Sequence, residues 1–265
     1  MAFSIIHTGS PRGDRPAVAA GRRRVAACAL GLLVAASPLL AERSFEIDTI
    51  RTSAGPLEIT FLGHGTLMMA WKGKIIHIDP YSAVADYAQL PKADLVLITH
   101  HHPDHFDKKA LERVCTEKTE VLLTALCAEQ GVKGKVVKNG DTCMVEGISI
   151  VAVPAYNILR KRPDGNPFHP KGEGNGYILA FGKTRIYVAG DTENTPEMKA
   201  LRRIDIAFLP MNLPYTMTPE QVADAAKAFR PKILYPYHYG ETDVHVLAPL
   251  LKGEKGIELR IRAMK

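Results

Sequence analysis

Cysteine is scarce in this chain: four among 265 residues, at positions 28, 115, 127 and 143, with no Cys-x-x-Cys pair. That scarcity excludes a disulfide-built framework and a thiolate zinc site. One bridge among Cys115, Cys127 and Cys143 stays open in an oxidising compartment, although small buried hydrophobes are the simpler reading. No Gly-x-Ser-x-Gly elbow occurs and no cysteine sits in a protease-like context, so a covalent nucleophile has no candidate. No Gly/Ser-rich or Pro-rich linker interrupts the chain after residue 45, which favours one domain. A surplus of one charge sign is missing too, once the N-terminus is set aside. The formal +6 includes five Arg and one Asp within residues 1–41, beyond which 29 basic residues face 27 acidic ones. A chain so balanced carries no electrostatic footprint for nucleic acid. Apolar residues, by contrast, make up 46% of the sequence, enough to bury a substantial core.

The basic excess marks a targeting segment. Arg22, Arg23 and Arg24 precede an apolar run from Val25 to Leu40, broken only by Gly31, Ser37 and Pro38, and Ala41 offers a small residue for cleavage. The run is short for a membrane span. The expectation is a signal peptide over 1–41 and a mature domain over 42–265. Export to the periplasm or the exterior follows, with no stable membrane insertion after cleavage. The adjacent arginines loosely fit a twin-arginine signal.

Beyond the signal, Leu57–Leu62, Thr66–Ala70 and Lys74–Ile78 read as a meander, turning at Gly63-His64-Gly65 and at Trp71–Lys74. Leu95–Thr99 is a continuous apolar run of the buried-strand kind, and Asp107 caps a helix over Lys108–Cys115. Val121–Leu123, Val136–Val137, Cys143–Val145 and Ile148–Val153 complete a strand-rich first half. In the second, Tyr177–Phe181 and Arg185–Val188 flank a Gly182-Lys183 turn, and Ile206–Leu209 and Ile233–Tyr235 read as strands. Thr218-Pro219-Glu220-Gln221 opens a helix with a capping box, its apolar face Val222, Ala225, Ala226 and Phe229, and Pro231 stops it. Two halves of similar make-up predict an α/β fold: two mixed β-sheets packed face to face with helices outside.

The strongest chemical signal is Thr99-His100-His101-His102-Pro103-Asp104-His105. Four imidazoles and a carboxylate fall between a buried strand and a helix, where a rigid scaffold can aim a loop. Nitrogen and oxygen donors in this mix suit zinc, with manganese or iron as alternatives. The alternation turns His100 and His102 one way and leaves Asp104 and His105 for a second position.

His100-x-His102-x-Asp104-His105 resembles the H-x-H-x-D-H signature of the metallo-β-lactamase superfamily. Ala189-Gly190-Asp191-Thr192 and Tyr237-His238-Tyr239 resemble two further elements of the same family, so the likeness runs over about residues 57–240. Gly63-His64 and Leu209-Pro210 are similar to elements of the branch that holds L-ascorbate-6-phosphate lactonase and N-acyl-phosphatidylethanolamine-hydrolysing phospholipase D. The resemblance implies an αββα sandwich and two divalent metals. It would give His100 and His102 to the first metal, Asp104, His105 and His238 to the second, and Asp191 to both. The family's third ligand of the first metal is a histidine in a Pro-Ala-x-His context, where this chain has Pro154-Ala155-Tyr156-Asn157. Either Asn157 serves poorly there or another group replaces it. His169, twelve residues on, is the imidazole at hand, as ligand or as a substrate contact. Asp79, before Pro80, either orients a ligand imidazole or merely ends a strand. The glycines around His64 would let it approach the pocket. Lys171 is a candidate anion contact, His77 reads as structural, and of Tyr235, Tyr237 and Tyr239 at most two can face the site.

The chemistry expected is hydrolysis of a small-molecule ester, lactone or phosphodiester by metal-activated water, with Asp104 orienting the nucleophile. Two rivals stand beside it: a di-iron redox enzyme of the same fold, and a metal-binding protein without turnover.

Overall fold

A computed structural model describes residues 45–265. The signal-peptide reading, with Cys28 and His7, therefore lies outside the described residues. The first sheet is built in chain order from β1 (Glu46–Thr52), β2 (Gly55–Gly63), β3 (Thr66–Trp71), β4 (Lys74–Ile78), β5 (Leu95–Leu97), β6 (Glu120–Leu123) and β7 (Lys135–Val136). The second repeats the plan with β8 (Thr142–Val145), β9 (Ile148–Ala155), β10 (Gly174–Phe181), β11 (Thr184–Val188), β12 (Ile206–Pro210), β13 (Ile233–Tyr237) and β14 (Glu258–Leu259). In each sheet the first four strands run antiparallel and the remaining pairings are parallel. The two halves thus share a topology although their residues show no repeat.

Burial on both faces explains the continuous apolar runs. In β5, Leu95 and Leu97 point into the core between the sheets, while Val96, with Ile98 just past the strand, packs outward with the helices α1 (Lys108–Val114) and α2 (Ala125–Glu129). In β12, Ile206 and Phe208 face the same central core, and Ala207 and Leu209 face α4 (Pro219–Phe229), with α3 (Pro196–Lys199) and α5 (Leu247–Leu250) beside it. A period-2 strand with both faces covered has no polar position to spare. The expected layering of helix, sheet, sheet and helix is what forms.

The caps follow the sequence signals. Asp107 accepts from the amides of Lys109 and Ala110, and Thr218 and Gln221 bond reciprocally with Pro219 at the first turn. Each such cap contributes about 1 kcal/mol. α4 ends at Phe229 and is capped by Arg230 at φ 52°, directly before Pro231. Differences from the sequence reading are local. β5 stops two residues short of Thr99, because the Thr99 amide donates to Asp79 Oδ1 at 2.7 Å instead of continuing the ladder. β1 was not anticipated: Ile47 is 58% exposed, so its strand lacks clean alternation. Cys115, Cys127 and Cys143 are all free, and Cys127 is buried, its thiol pushed up to about 11 by burial. His77 is structural, its Nε2 bonded to the Pro91 carbonyl at 3.1 Å. No helix among the described residues is long and apolar enough to cross a membrane.

Candidate metal centre

Seven segments reach one edge of the sandwich. His64 turns between β2 and β3. Asp79, the His100–His105 loop, the 190–193 turn, Asn212 and His238 follow β4, β5, β11, β12 and β13, and the loop from Asn157 to His169 joins β9 to β10. Most stand at the carboxyl ends of parallel strands, where open α/β sheets gather their ligands. Three of these residues, His64, Asp79 and His238, hold φ of 55°, 46° and 45°. The left-handed region costs a non-glycine residue about 1 kcal/mol or more, and such strain concentrates where side chains must be re-aimed.

The donors fall into sets whose ligand atoms lie within 4.8 Å of one another: His64, Asp104, His105 and His238; His100, His102 and His169; and His100, His105 and Asp191. Asp191 joins them. Its Oδ2 lies 3.2 Å from His169 Nε2, and its Oδ1 lies 3.4 Å from His105 Nε2 and 3.5 Å from His238 Nε2. Within the second set His100 Nε2 faces His102 Nδ1 at 3.0 Å. Asp104, a third exposed, takes His64 Nε2 at 2.9 Å and stands 3.5 Å from His238 Nε2.

The surrounding residues fix these rings. Asp79, fully buried, holds His105 Nδ1 at 2.8 Å and accepts from the amide and hydroxyl of Thr99 at 2.7 and 2.5 Å. Asp79 thus holds His105 by its Nδ1. Asn157 Oδ1 accepts from the His169 amide at 2.8 Å and faces His169 Nδ1 at 2.5 Å, while its Nδ2 donates to the Tyr215 carbonyl. The asparagine at the family's histidine position thus orients the histidine that enters the cluster. Glu193, buried, accepts from the amides of Ile158, Leu159 and Arg160 and anchors the loop that carries His169. Tyr237 OH accepts from the Gly190 amide and steadies the turn before Asp191, whereas the hydroxyls of Tyr235 and Tyr239 bond to Asp48 and the Arg262 carbonyl, away from the cluster. Gly65 is a packing requirement, since a Cβ there would meet His105 Cε1 at 2.7 Å.

Burial decides the protonation of most rings. His100 is held well below the usual imidazole value by burial and then by the charge of His105, and burial brings His102 to about 4. Both are neutral donors, as metal ligation requires. Burial opposes the charge on His105, but Asp191, Asp79 and Asp104 outweigh it and raise the ring to about 10. Burial would raise Asp104 as well, yet hydrogen bonds from His238 and His64 hold it far below the ordinary carboxylate range. Two buried atoms at the centre, His105 Nε2 and Asp191 Oδ1, have no hydrogen-bond partner. Buried polar atoms seldom stay unpaired, and a cation between them would use both. The donor set of imidazoles and carboxylates fits a divalent transition metal.

The cluster opens to a cavity of about 390 Å³ whose walls include His64, Asp104, Arg162, Phe168, Tyr215 and Asn212. Lys171 corrects an expectation: it is not on this wall but pairs with Glu197 at 2.8 Å and lies over the Tyr156 ring, its side chain 62% exposed. His169, two residues before it, is buried beside Asp191 instead. Sequence reasoning missed Arg162, Glu193 and Asn212. Only Glu193 left a signal, by its place directly after Asp191-Thr192.

A β-lactamase superfamily domain matches residues 58–238. A UPF0173 metal-dependent hydrolase of Methanopyrus kandleri is 33% identical over 197 residues, 69% of this chain and 84% of that one. Among solved structures, a protein of Parabacteroides distasonis described as a metal-dependent hydrolase is 49% identical, with a TM-score of 0.80 over 84% of this chain and all of that one. CmlA, a diiron β-hydroxylase of Streptomyces venezuelae, shares the fold alone, at 17% identity and a TM-score of 0.62 over 77% of this chain and 52% of its own. The chain belongs to the β-lactamase superfamily and is a metal-dependent hydrolase of the metallo-β-lactamase fold.

Proposed function

We propose that the centre holds two divalent transition-metal ions, zinc first and manganese or iron as alternatives, and that the chain hydrolyses a small-molecule ester, lactone or phosphodiester. The observation that carries this reading is Asp191, whose two oxygens approach His169 on one side and His105 and His238 on the other. His100, His102 and His169 would hold the first ion, Asp104, His105 and His238 the second, with Asp191 reaching both. Bound there, the ions would lower the pKa of an attacking water and polarise the oxygen under attack.

The rest falls to the chain. Asp104 lines the cavity and stays ionised throughout the neutral range, so it can accept a hydrogen bond from the attacking water and orient it. His64 Nε2 donates to that same oxygen and fixes its direction. Asp79 and Asn157 hold His105 and His169 by their far nitrogens, leaving each Nε2 turned to the centre.

A panel of lactones, phosphodiesters, thioesters and β-lactams, offered to zinc- or manganese-loaded protein without an electron donor, tests the reading. Turnover of an ester, lactone or phosphodiester supports it. Turnover that appears only with a reductant and dioxygen would move the chain to the redox branch of the fold.

A further inference from the structure

The loop that delivers His169 also carries a cation into the cavity. Arg162 is held at its backbone, donating to the Asn166 carbonyl at 2.7 Å and accepting from Gly165 at 2.9 Å, in a loop pinned by Glu193. Its guanidinium lies over the Phe168 ring, donates to the Phe168 carbonyl at 3.3 Å, and brings Nη2 to 3.3 Å from His102 Nε2. No carboxylate forms an ion pair with it among the described residues, and Asp164, the acidic side chain of the same loop, turns both oxygens to Asn166.

The contact with His102 is informative. His102 turns Nδ1 toward His100 Nε2, and once that nitrogen gives its lone pair to a metal the proton of the neutral ring sits on Nε2. The guanidinium and His102 Nε2–H are then two donors facing each other, beside a centre meant for two dications. Only an acceptor between them satisfies both, and a negative one offsets the local charge.

We propose that Arg162 and His102 Nε2 form an oxyanion subsite, so that the substrate carries a carboxylate or phosphate a few bonds from the bond cleaved. This rests on the reading of His102 as a ligand through Nδ1. Phe168 and Tyr215, packed edge to face with centroids 5.1 Å apart, wall the space beside the anion and take the apolar part of the same molecule.

The test compares 4-nitrophenyl acetate with the mono-4-nitrophenyl ester of succinate on zinc-loaded wild type, Arg162→Met and Arg162→Lys. Thermal midpoint and metal content are recorded for each. Losing a charge-assisted pair lowers the preference for the anionic ester about 10- to 100-fold, mainly through KM, and lysine restores part of it. Calorimetric titration with inorganic phosphate and with glutarate gives a readout independent of turnover. Weaker binding of one or both in Arg162→Met, at unchanged metal content, supports the subsite, and the anion that loses more names the group. An unchanged preference, or equal losses on both esters with unaltered anion binding, overturns it. If wild type cleaves neither ester, the hydrolytic reading is decided by the wider substrate panel, while the titrations still decide the subsite.

Discussion

Gly65→Ala puts the reasoning about the centre at risk with a single methyl group. The backbone at Gly65 is not in the left-handed region, so the substitution brings no conformational strain and acts by contact alone. The new Cβ would stand 2.7 Å from His105 Cε1 and 3.5 Å from His238 Cδ2. Ordinary contact begins near 3.4 Å, so the His105 ring must retreat by about 0.7 Å. It has no room, because Asp79 holds Nδ1 at 2.8 Å and the ring is fully buried. Overpacking of this kind costs about 1–3 kcal/mol, or about 2–10 °C in thermal midpoint for a domain of this size. A displaced ligand also weakens metal binding, by about 10- to 100-fold on the scale of lost supporting contacts. Competition with a chromogenic chelator, alongside a melting curve and kcat/KM, measures all three. A variant with wild-type metal affinity and melting would refute the idea that His105 is a ligand wedged between Asp79 and the Gly65 turn.

Asn157→Ala removes the acceptor that orients His169 and should weaken binding of one of two ions about 10-fold, less than His169→Ala does; equal losses in chelator titrations would make Asn157 itself the ligand. Asp48, on β1, meets Arg260, Arg262 and Tyr235 from the other half of the chain. Burial would raise its carboxyl, but the Tyr235 hydroxyl and Arg262 hold it below its ordinary 3.8. A depressed carboxyl stabilises the fold above the unfolded value and loses that contribution as pH falls through the folded one. Asp48→Asn should therefore melt roughly 5 °C lower near pH 7, with the gap closing below about pH 4; a gap independent of pH contradicts this. The arginine cluster and apolar run of the N-terminus predict a mature chain beginning close to Glu42, and an intact mass that retains Met1 in exported protein would contradict it.

The fold was legible wherever a strand is buried on both faces or alternates cleanly, as in β5, β12 and the meander from β2 to β4. It was illegible in β1 and in the two- to five-residue elements β14, α2, α3 and α5, which are too short to show a period. At the centre, spacing alone paired His100 with His102 and Asp104 with His105. His169 could be suspected only because Asn157 broke the pattern. Arg162 could not be seen at all: an arginine in an exposed polar turn reads as a solvated charge until a loop anchored on Glu193 brings it over the cavity. Lys171 erred in the opposite sense, since a lysine near a candidate ligand histidine looks functional until its pairing with Glu197 is known.

The central claim is that two ions share Asp191. Anomalous difference maps from crystals of the zinc- or manganese-loaded protein test it most directly. Two peaks are expected, one among His100, His102 and His169 and one among Asp104, His105 and His238, with an Asp191 oxygen on each. A single peak, or two peaks with Asp191 bound to neither, would contradict the account.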